Sequence, residues 1–436
     1  AILNQCQKNA IKDNILRDEN KIEVPAFLIY SSDTFNISMR LKGDLADHWD
    51  GDKRSYRIKL KGKNRLFGMK TFSLQSPSTR RELNEWYFHK LLKYEGLIAL
   101  RYSFINLAEN GTLKGIYAIE EGFDKQLIEF NDRREGSILK FDESILIDKT
   151  IINKNKQYSQ GDIFLISDIN VFKTKRTLKN PLLYDQFKKG KDLLNKLRSR
   201  EITLAQAMDI EQAAKLFAIA DLTGGHHALR WKNVRFYFNP LVGKLEFIGF
   251  DSNSGNMISD IYYNKWMNND IWMYDVLIWK NIFFEDSDFL KLYFKHLERY
   301  SSPIFLKEFH QQIKEDMKLN LSYIYKENST YVFPIDYYIE NAKVISQKIL
   351  EYEKRTNTQD SAEYFVSTSA LHKLHIGSNS ISLSIKNNSR DTITVFGIFD
   401  NNENLISINS AFKISGRSRN KTVNKFIYQF KLNSYL

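Results

Sequence analysis

The 436-residue chain carries 64 Lys and Arg against 52 Asp and Glu, a net charge of +12, and 42% of its residues are hydrophobic. That apolar content, with 30 Phe and 23 Tyr, excludes a disordered chain and is enough for more than one compact unit. The single cysteine, Cys6, excludes an intramolecular disulfide framework and a Cys-built zinc site, and no stretch approaches the roughly 20 apolar residues of a membrane span.

The basic excess is not gathered into a Lys/Arg block interleaved with aromatics, so no specific nucleic-acid module is expected. It would suit an anionic ligand or an acidic protein substrate. The chain opens with Ala instead of Met, from which a removed upstream segment is expected. If that segment was a signal, the setting is secreted or cell-surface; otherwise it is cytoplasmic.

In chain order, residues 1–24 read as an N-terminal extension and 25–140 as a β-rich lobe with one main helix. Strands are predicted over 36–41 and 55–60, because Ile37, Met39 and Leu41, and then Tyr56, Ile58 and Leu60, alternate with polar residues. Leu83, Trp86, Tyr87 and Leu91 recur at helical spacing, which predicts a helix over 79–94 that Gly96 stops. Short strands over 103–107 and 115–120 flank the turn Glu109-Asn110-Gly111.

Residues 141–358 read as a mainly helical lobe, with helices over 181–198, 204–222, 286–299, 305–326 and 334–354. Pro303 and Pro334 mark starts. A polar linker is expected over 359–369 within the polar stretch 356–369. A small all-β, sandwich-like module follows over 370–436, with strands at 380–385, 392–398 and 405–408.

One hairpin inside the helical lobe carries chemistry. Strands over 234–238 and 244–249 are joined by Asn239-Pro240-Leu241-Val242-Gly243, where Asn, Pro and Gly supply turn conformations. If Phe238 pairs with Lys244, Asn233 lies opposite Gly249, and Asp251 is two residues further on, roughly 7 Å. Both offer hard oxygen ligands to one divalent ion, and magnesium keeps waters and phosphates for its other positions. The structural alternative is that Asn233 caps a turn and Asp251 ends a strand.

The segments Arg40-Leu41-Lys42-Gly43-Asp44, Lys53-Arg54-Ser55-Tyr56-Arg57-Ile58-Lys59-Leu60 and Gly68-Met69-Lys70-Thr71-Phe72-Ser73-Leu74 open an ordered series. Arg80 to Leu92, Asn110-Gly111, Gly115-Ile116-Tyr117, Glu120-Glu121-Gly122-Phe123-Asp124 and the hairpin complete it. Over roughly residues 25 to 255 this series resembles the CotH family of atypical protein kinases.

The resemblance implies an α+β, two-lobed kinase-like fold that binds ATP with magnesium, or manganese in its place, and phosphorylates Ser or Thr of a protein. It implies metal-binding roles for Asp251 and Asn233. Lys59 and Glu85 are similar to the strand-lysine and helix-glutamate pair of kinases. Lys42, Arg57 and Lys140 compete for the phosphate-gripping role, Glu82 competes with Glu85, and Lys140 could line the cleft from the hinge side.

The main departure is Gly224-Gly225-His226-His227-Ala228-Leu229-Arg230, which lacks the family's acid. His227 is the candidate base, with a structural histidine as the alternative. Arg230 would contact a phosphate or pair with an acid across the cleft. Asn253 stands where relatives carry a second Asp. Two other outcomes stay open beside phosphorylation: transfer of AMP or ligation of glutamate on the same scaffold, and a non-catalytic surface-binding module.

Overall fold

The computed structural model describes residues 1–147, 160–267, 277–357, 361–366, 370–376, 380–387, 393–395, 412–414 and 425–431. The first part of the chain builds one antiparallel sheet. Helix α1 (Ile2–Asp13) precedes strands β1 (Val24–Tyr30), β2 (Asp33–Leu41), β3 (Tyr56–Leu60) and β4 (Thr71–Gln75). Helix α2 (Asn84–Tyr94) intervenes, and β5 (Tyr102–Glu109) and β6 (Thr112–Glu121) complete the order β1-β2-β3-β4-β6-β5.

Strand alternation decides what each face of this sheet does. Ile37, Leu41, Tyr56, Ile58, Leu60, Phe72 and Leu74 turn to one face and are buried with Cys6, Ala10 and Leu16. The segment expected as an N-terminal extension is therefore a folded cover. On the opposite face, register aligns Arg40 with Arg57, Arg57 with Ser73, Ser73 with Glu120, and Glu120 with Tyr102. A continuous polar row thus crosses five strands.

The helix predicted over 79–94 begins later. Pro77–Arg80 forms a 3-10 turn, and Arg81 and Glu82 take left-handed φ angles of 53° and 54°, so the chain reverses before Asn84. Nothing in a typical Arg or Glu announces that conformation.

Helix α3 (Lys125–Phe130), strand β7 (Ile138–Phe141), helices α4 (Ser144–Leu146) and α5 (Gln160–Ile166) and strand β8 (Ile169–Val171) follow. Next come α6 (Thr174–Lys179), α7 (Pro181–Arg198), α8 (Leu204–Ala207) and α9 (Ile210–Thr223). Helix α7 starts where predicted, with Pro181 in its first turn and the Asn180 side chain accepting from Leu182 N and Leu183 N. The helix predicted over 204–222 is two helices, because Thr203 caps the first and Asp209 caps the second.

Strands β9 (Arg235–Asn239) and β10 (Lys244–Ile248) join β7 and β8 in a sheet of order β10-β9-β7-β8. Helices α10 (Tyr262–Met267), α11 (Leu277–Phe284), α12 (Ser287–Ser301), α13 (Pro303–Ile324) and α14 (Ile335–Asn357) complete the helical part. Just beyond α13, Glu327 accepts from Ile116 N at 2.7 Å and from Lys53 Nζ at 2.6 Å. Gly115 makes room for it, since a Cβ there would stand 1.7 Å from Glu327 Oε1.

The chain divides into two compact units, 1–279 with 288–346, and 280–287 with 347–436. The second contains an antiparallel sheet of β11 (Ser361–Val366), β12 (Ala370–Ile376), β13 (Ser380–Asn387) and β16 (Lys425–Lys431). Strands β14 (Ile393–Val395) and β15 (Phe412–Ile414) form a separate pair. The linker expectation for 359–369 is corrected: Ser361–Val366 is a strand, consistent with the β preference of Tyr364, Phe365 and Val366. The strand expected over 405–408 lies outside the described residues. Among the described residues no helix is long and apolar enough to cross a membrane.

The two faces of the first sheet set a stability test. Leu60, fully buried, is expected to cost about 2–5 kcal/mol on substitution by Ala. Leu113, 73% exposed on β6, should cost under about 0.5 kcal/mol. Urea denaturation of L60A and L113A measures both, and equal losses would contradict the assignment of faces.

Candidate active site

The segment after β10 reads Asp251-Ser252-Asn253-Ser254-Gly255, and alternate residues are left-handed, with φ of 54° at Asp251, 49° at Asn253 and 83° at Gly255. Asp, Asn and Gly are the residues that tolerate that region. The resulting bend is held from α2. Glu85, fully buried, accepts from Ser252 N at 3.1 Å through each oxygen and from Ser252 Oγ at 2.7 Å. Ser254 Oγ donates to Asn84 O at 2.9 Å, and Gly255 lies so close that a Cβ would stand 2.5 Å from the Asn84 side chain.

His89, one turn along α2, accepts from Leu100 N through Nδ1 at 3.2 Å. Its proton therefore sits on Nε2, which faces Glu85 Oε1 at 3.5 Å.

The hairpin register differs by one residue from the predicted one. Lys244 pairs with Asn239 and Ile248 with Arg235, which by extension puts Asn233 opposite Phe250, not Gly249. Asn239 belongs to its strand as well as to the turn, its side chain accepting from Leu241 N at 3.0 Å. Asp251 is then one residue beyond Asn233 instead of two.

His227 joins the two. Its Nδ1 lies 2.7 Å from Asp251 O, and a carbonyl only accepts, so Nδ1 carries the proton and Nε2 the lone pair of the neutral ring. Asn233 Nδ2 donates to His227 O at 2.9 Å and lies 2.9 and 3.3 Å from the two ring nitrogens. With its nitrogen so engaged, Asn233 has its amide oxygen for a cation.

Asp251 Oδ1 pairs with Arg80 at 3.2 Å and lies 3.6 Å from His227 Nδ1, which leaves Oδ2 as the second donor. Burial pushes this carboxyl up, but Arg80, His227 and Lys42 outweigh burial and hold it well below the usual carboxylate range.

The polar row of the sheet supplies the facing wall. Lys42, just past β2, donates to Glu120 at 2.7 Å and to Gln75 Oε1 at 2.8 Å, and Gln75 donates back to Glu120 at 3.1 Å. Burial lowers the Lys42 pKa, against the opposing pull of Glu120. Arg57 donates to Ser73 Oγ at 3.1 Å, and burial lowers its pKa too. Among the described residues the buried Arg80 Nε has no hydrogen-bond partner.

Several predicted residues stand elsewhere. Lys59 and Glu85 are not brought together: Lys59 is exposed on β3, while Glu85 is enclosed by Ser252 and His89. The lysine–glutamate pair at this face is instead half-buried Lys42 with buried Glu120. Glu82 belongs to the turn before α2. Lys140 lies on β7, half-buried and 3.2 Å from Glu143. Arg230 is half-buried at the turn before β9, its carbonyl accepting from Asn233 N at 2.8 Å.

The carboxylate nearest in sequence to the histidine pair, Asp221, is fully buried and accepts from Tyr262 N at 2.8 Å and from Tyr293, and pairs with His226 Nε2 at 2.8 Å. It is structural. Sequence reasoning missed Arg80, Glu120, Arg40 and Ser252. The alternation of Asp, Asn and Gly at i, i+2 and i+4 was the available signal for the bend.

The CotH kinase protein family matches residues 39–366, about three quarters of the chain. The chain belongs to the CotH kinase family. Its fold is accordingly α+β and kinase-like, and at the coarse level it is a kinase-like transferase. No curated protein matches the chain. The CotH match begins near the end of β2, at Met39, and spans the polar row, α2, His227, Asn233 and Asp251.

Among the described residues no cluster of three or more His, Cys, Asp or Glu could cage a metal by itself. One carboxylate and one amide fit magnesium, which takes much of its shell from water and phosphate.

His48 sets a pH test for this wall. It is buried beneath Gly43 with Nδ1 3.0 Å from Ser55 Oγ, and burial, then Lys42 and Arg80, lower its pKa to about 3. In the unfolded chain the ring titrates near about 6.5. A depressed histidine is neutral in both states above that pH, and unfolding takes up its proton as the pH falls toward 3. Stability should therefore decline from about pH 6.5 downward, and His48→Gln should reduce the decline. Urea midpoints at about pH 7 and 4.5 measure it; an identical drop in both proteins would remove His48 from the account.

Proposed function

We propose that this CotH-family chain binds ATP with magnesium or manganese and transfers the terminal phosphate to Ser or Thr of a protein substrate. One observation carries the reading. Arg40 and Arg57 are direct cross-strand partners on the same face as Glu120, and among the described residues neither has a carboxylate within ion-pair distance. Like charges so placed destabilise a sheet unless an anion lies between them, and this pair adjoins the wall that faces Asp251. A triphosphate supplies that anion.

Asp251 and Asn233 would hold the metal ion, which neutralises phosphate charge when bound. Lys42, held by Glu120 and Gln75, would meet the phosphates as a fixed cation. Arg80 would keep Asp251 oriented and ionised. In the transfer, the bond from the substrate hydroxyl oxygen to phosphorus forms as the bond to the leaving diphosphate breaks. The hydroxyl proton would pass to His227 Nε2 once the Asn233 amide, 3.3 Å away, gives up that lone pair, the ring being fixed by its Nδ1–H on Asp251 O.

Intact-mass measurement of a protein acceptor after incubation with MgATP should show additions of about 80 Da. Additions of about 329 Da would instead identify AMP transfer and overturn the phosphoryl reading, and additions of about 129 Da with glutamate supplied would identify ligation. Arg57→Gln should weaken ATP binding about tenfold, read by calorimetry. His227→Ala should lower kcat about 100-fold with ATP affinity changed less than about twofold. Unchanged kcat in that variant would remove His227 from the transfer step.

A further inference from the structure

Strand β1 ends the six-stranded sheet, so one of its sides has no strand partner among the described residues. On its polar face stand Phe27, 72% exposed, and Ile29, 73% exposed. Natural sheets avoid large apolar side chains on an unpaired edge, because such an edge recruits another strand. On the other face of β1, Tyr30 meets Phe67 of the β3–β4 connection edge to face at 5.1 Å, which ties that connection to the end of the edge strand.

The same face is basic. Phe27 is paired with Asn36, whose carbonyl accepts from Lys61 N at 2.9 Å, and Pro25 is paired with Ser38, which is paired with Lys59. Two strand spacings, about 10 Å, separate the apolar residues from the lysines. Lys63 and Arg65 follow in the exposed connection. Among the described residues none of these four cations has a carboxylate within ion-pair distance. The face continues through Lys59 to Arg57 and Arg40.

We propose that β1 and the adjoining basic connection form a docking surface for an extended, acidic segment of the protein substrate, which adds to β1 as a further strand. The free edge supplies main-chain hydrogen bonds, Phe27 and Ile29 receive apolar side chains, and Lys59, Lys61, Lys63 and Arg65 receive carboxylates. A lipid surface would match the charge and the apolar pair but would make no use of the strand edge. That the bound segment belongs to a substrate rests on the phosphotransfer reading; the surface itself does not.

The test is fluorescence anisotropy with the full chain and a labelled peptide of about eight residues alternating Glu and Phe. F27S/I29S and K61E/K63E/R65E should each bind it at least about tenfold more weakly, as should the wild type when alternate peptide amides are methylated. A peptide with Lys in place of Glu should not bind. MgATP affinity in both variants should equal that of the wild type, since the substituted residues are exposed and outside the nucleotide wall.

Equal binding by the variants, or by the lysine peptide, would overturn the proposal. Patch-dependent sedimentation with phosphatidylserine vesicles and no peptide binding would replace it with a membrane contact. Peptide binding that follows the pattern while wild-type MgATP binding fails would sustain the docking surface and remove its partner's identity as a phosphorylated substrate.

Discussion

A carboxylate shut away from water must find its partners inside the protein, and Glu85 finds them in Ser252. Three hydrogen bonds from one serine fix the residue immediately after Asp251, so the position of α2 and the direction of the Asp251 carboxylate are set together. Every other feature of the site inherits that placement: Arg80 reaches Asp251 Oδ1, His227 caps the Asp251 carbonyl, and Asn233 backs the histidine. Glu85, expected to pair with Lys59, is instead bonded to Ser252.

Around this anchor the charges alternate. Asp251 faces Arg80, and Lys42 faces Glu120, while Arg80 also feels the field of Glu120 and raises its own pKa despite burial. Such a network is costly to break at one member, because the survivor keeps its desolvation without its partner. Among the described residues Arg40 and Arg57 have no carboxylate within ion-pair distance; Glu23, Asp18 and Asp44 act on Arg40, and Glu120 and Asp124 on Arg57, from further away.

The sequence disclosed what depends on short-range periodicity. Alternation through Ile37–Leu41 and Tyr56–Leu60 identified the covered face, and Pro181 marked the start of α7 to the residue. It disclosed less where several distant segments settle a question. The hairpin register slipped by one because Asn239 serves both strand and turn, and the lysine went to Lys59 because a strand pattern cannot say how deep along the cleft each alternate residue lies. Lys42 takes the half-buried position only because Gln75 and Glu120 arrive from two other strands. Arg80 was hidden by a reversal at Arg81 and Glu82 for which neither residue type gives a signal. His227 and Asn233 were legible as candidates, but their mutual contact was not.

Helix α2 is held by groups that come far later in the chain. Asn84 meets the Tyr338 hydroxyl at 2.5 Å across 254 positions, Glu85 meets Ser252 across 167, and Ile116 meets Glu327 across 211. A ribosome delivers the six-stranded sheet early, yet its inner helix and the β6 backbone lack these partners until more than three hundred residues have emerged. A sheet made early is therefore finished late, and its polar face stays without Asp251 until more than a hundred further residues have followed β6. Long-range closure of this kind slows folding and prolongs the exposure of unfinished surface.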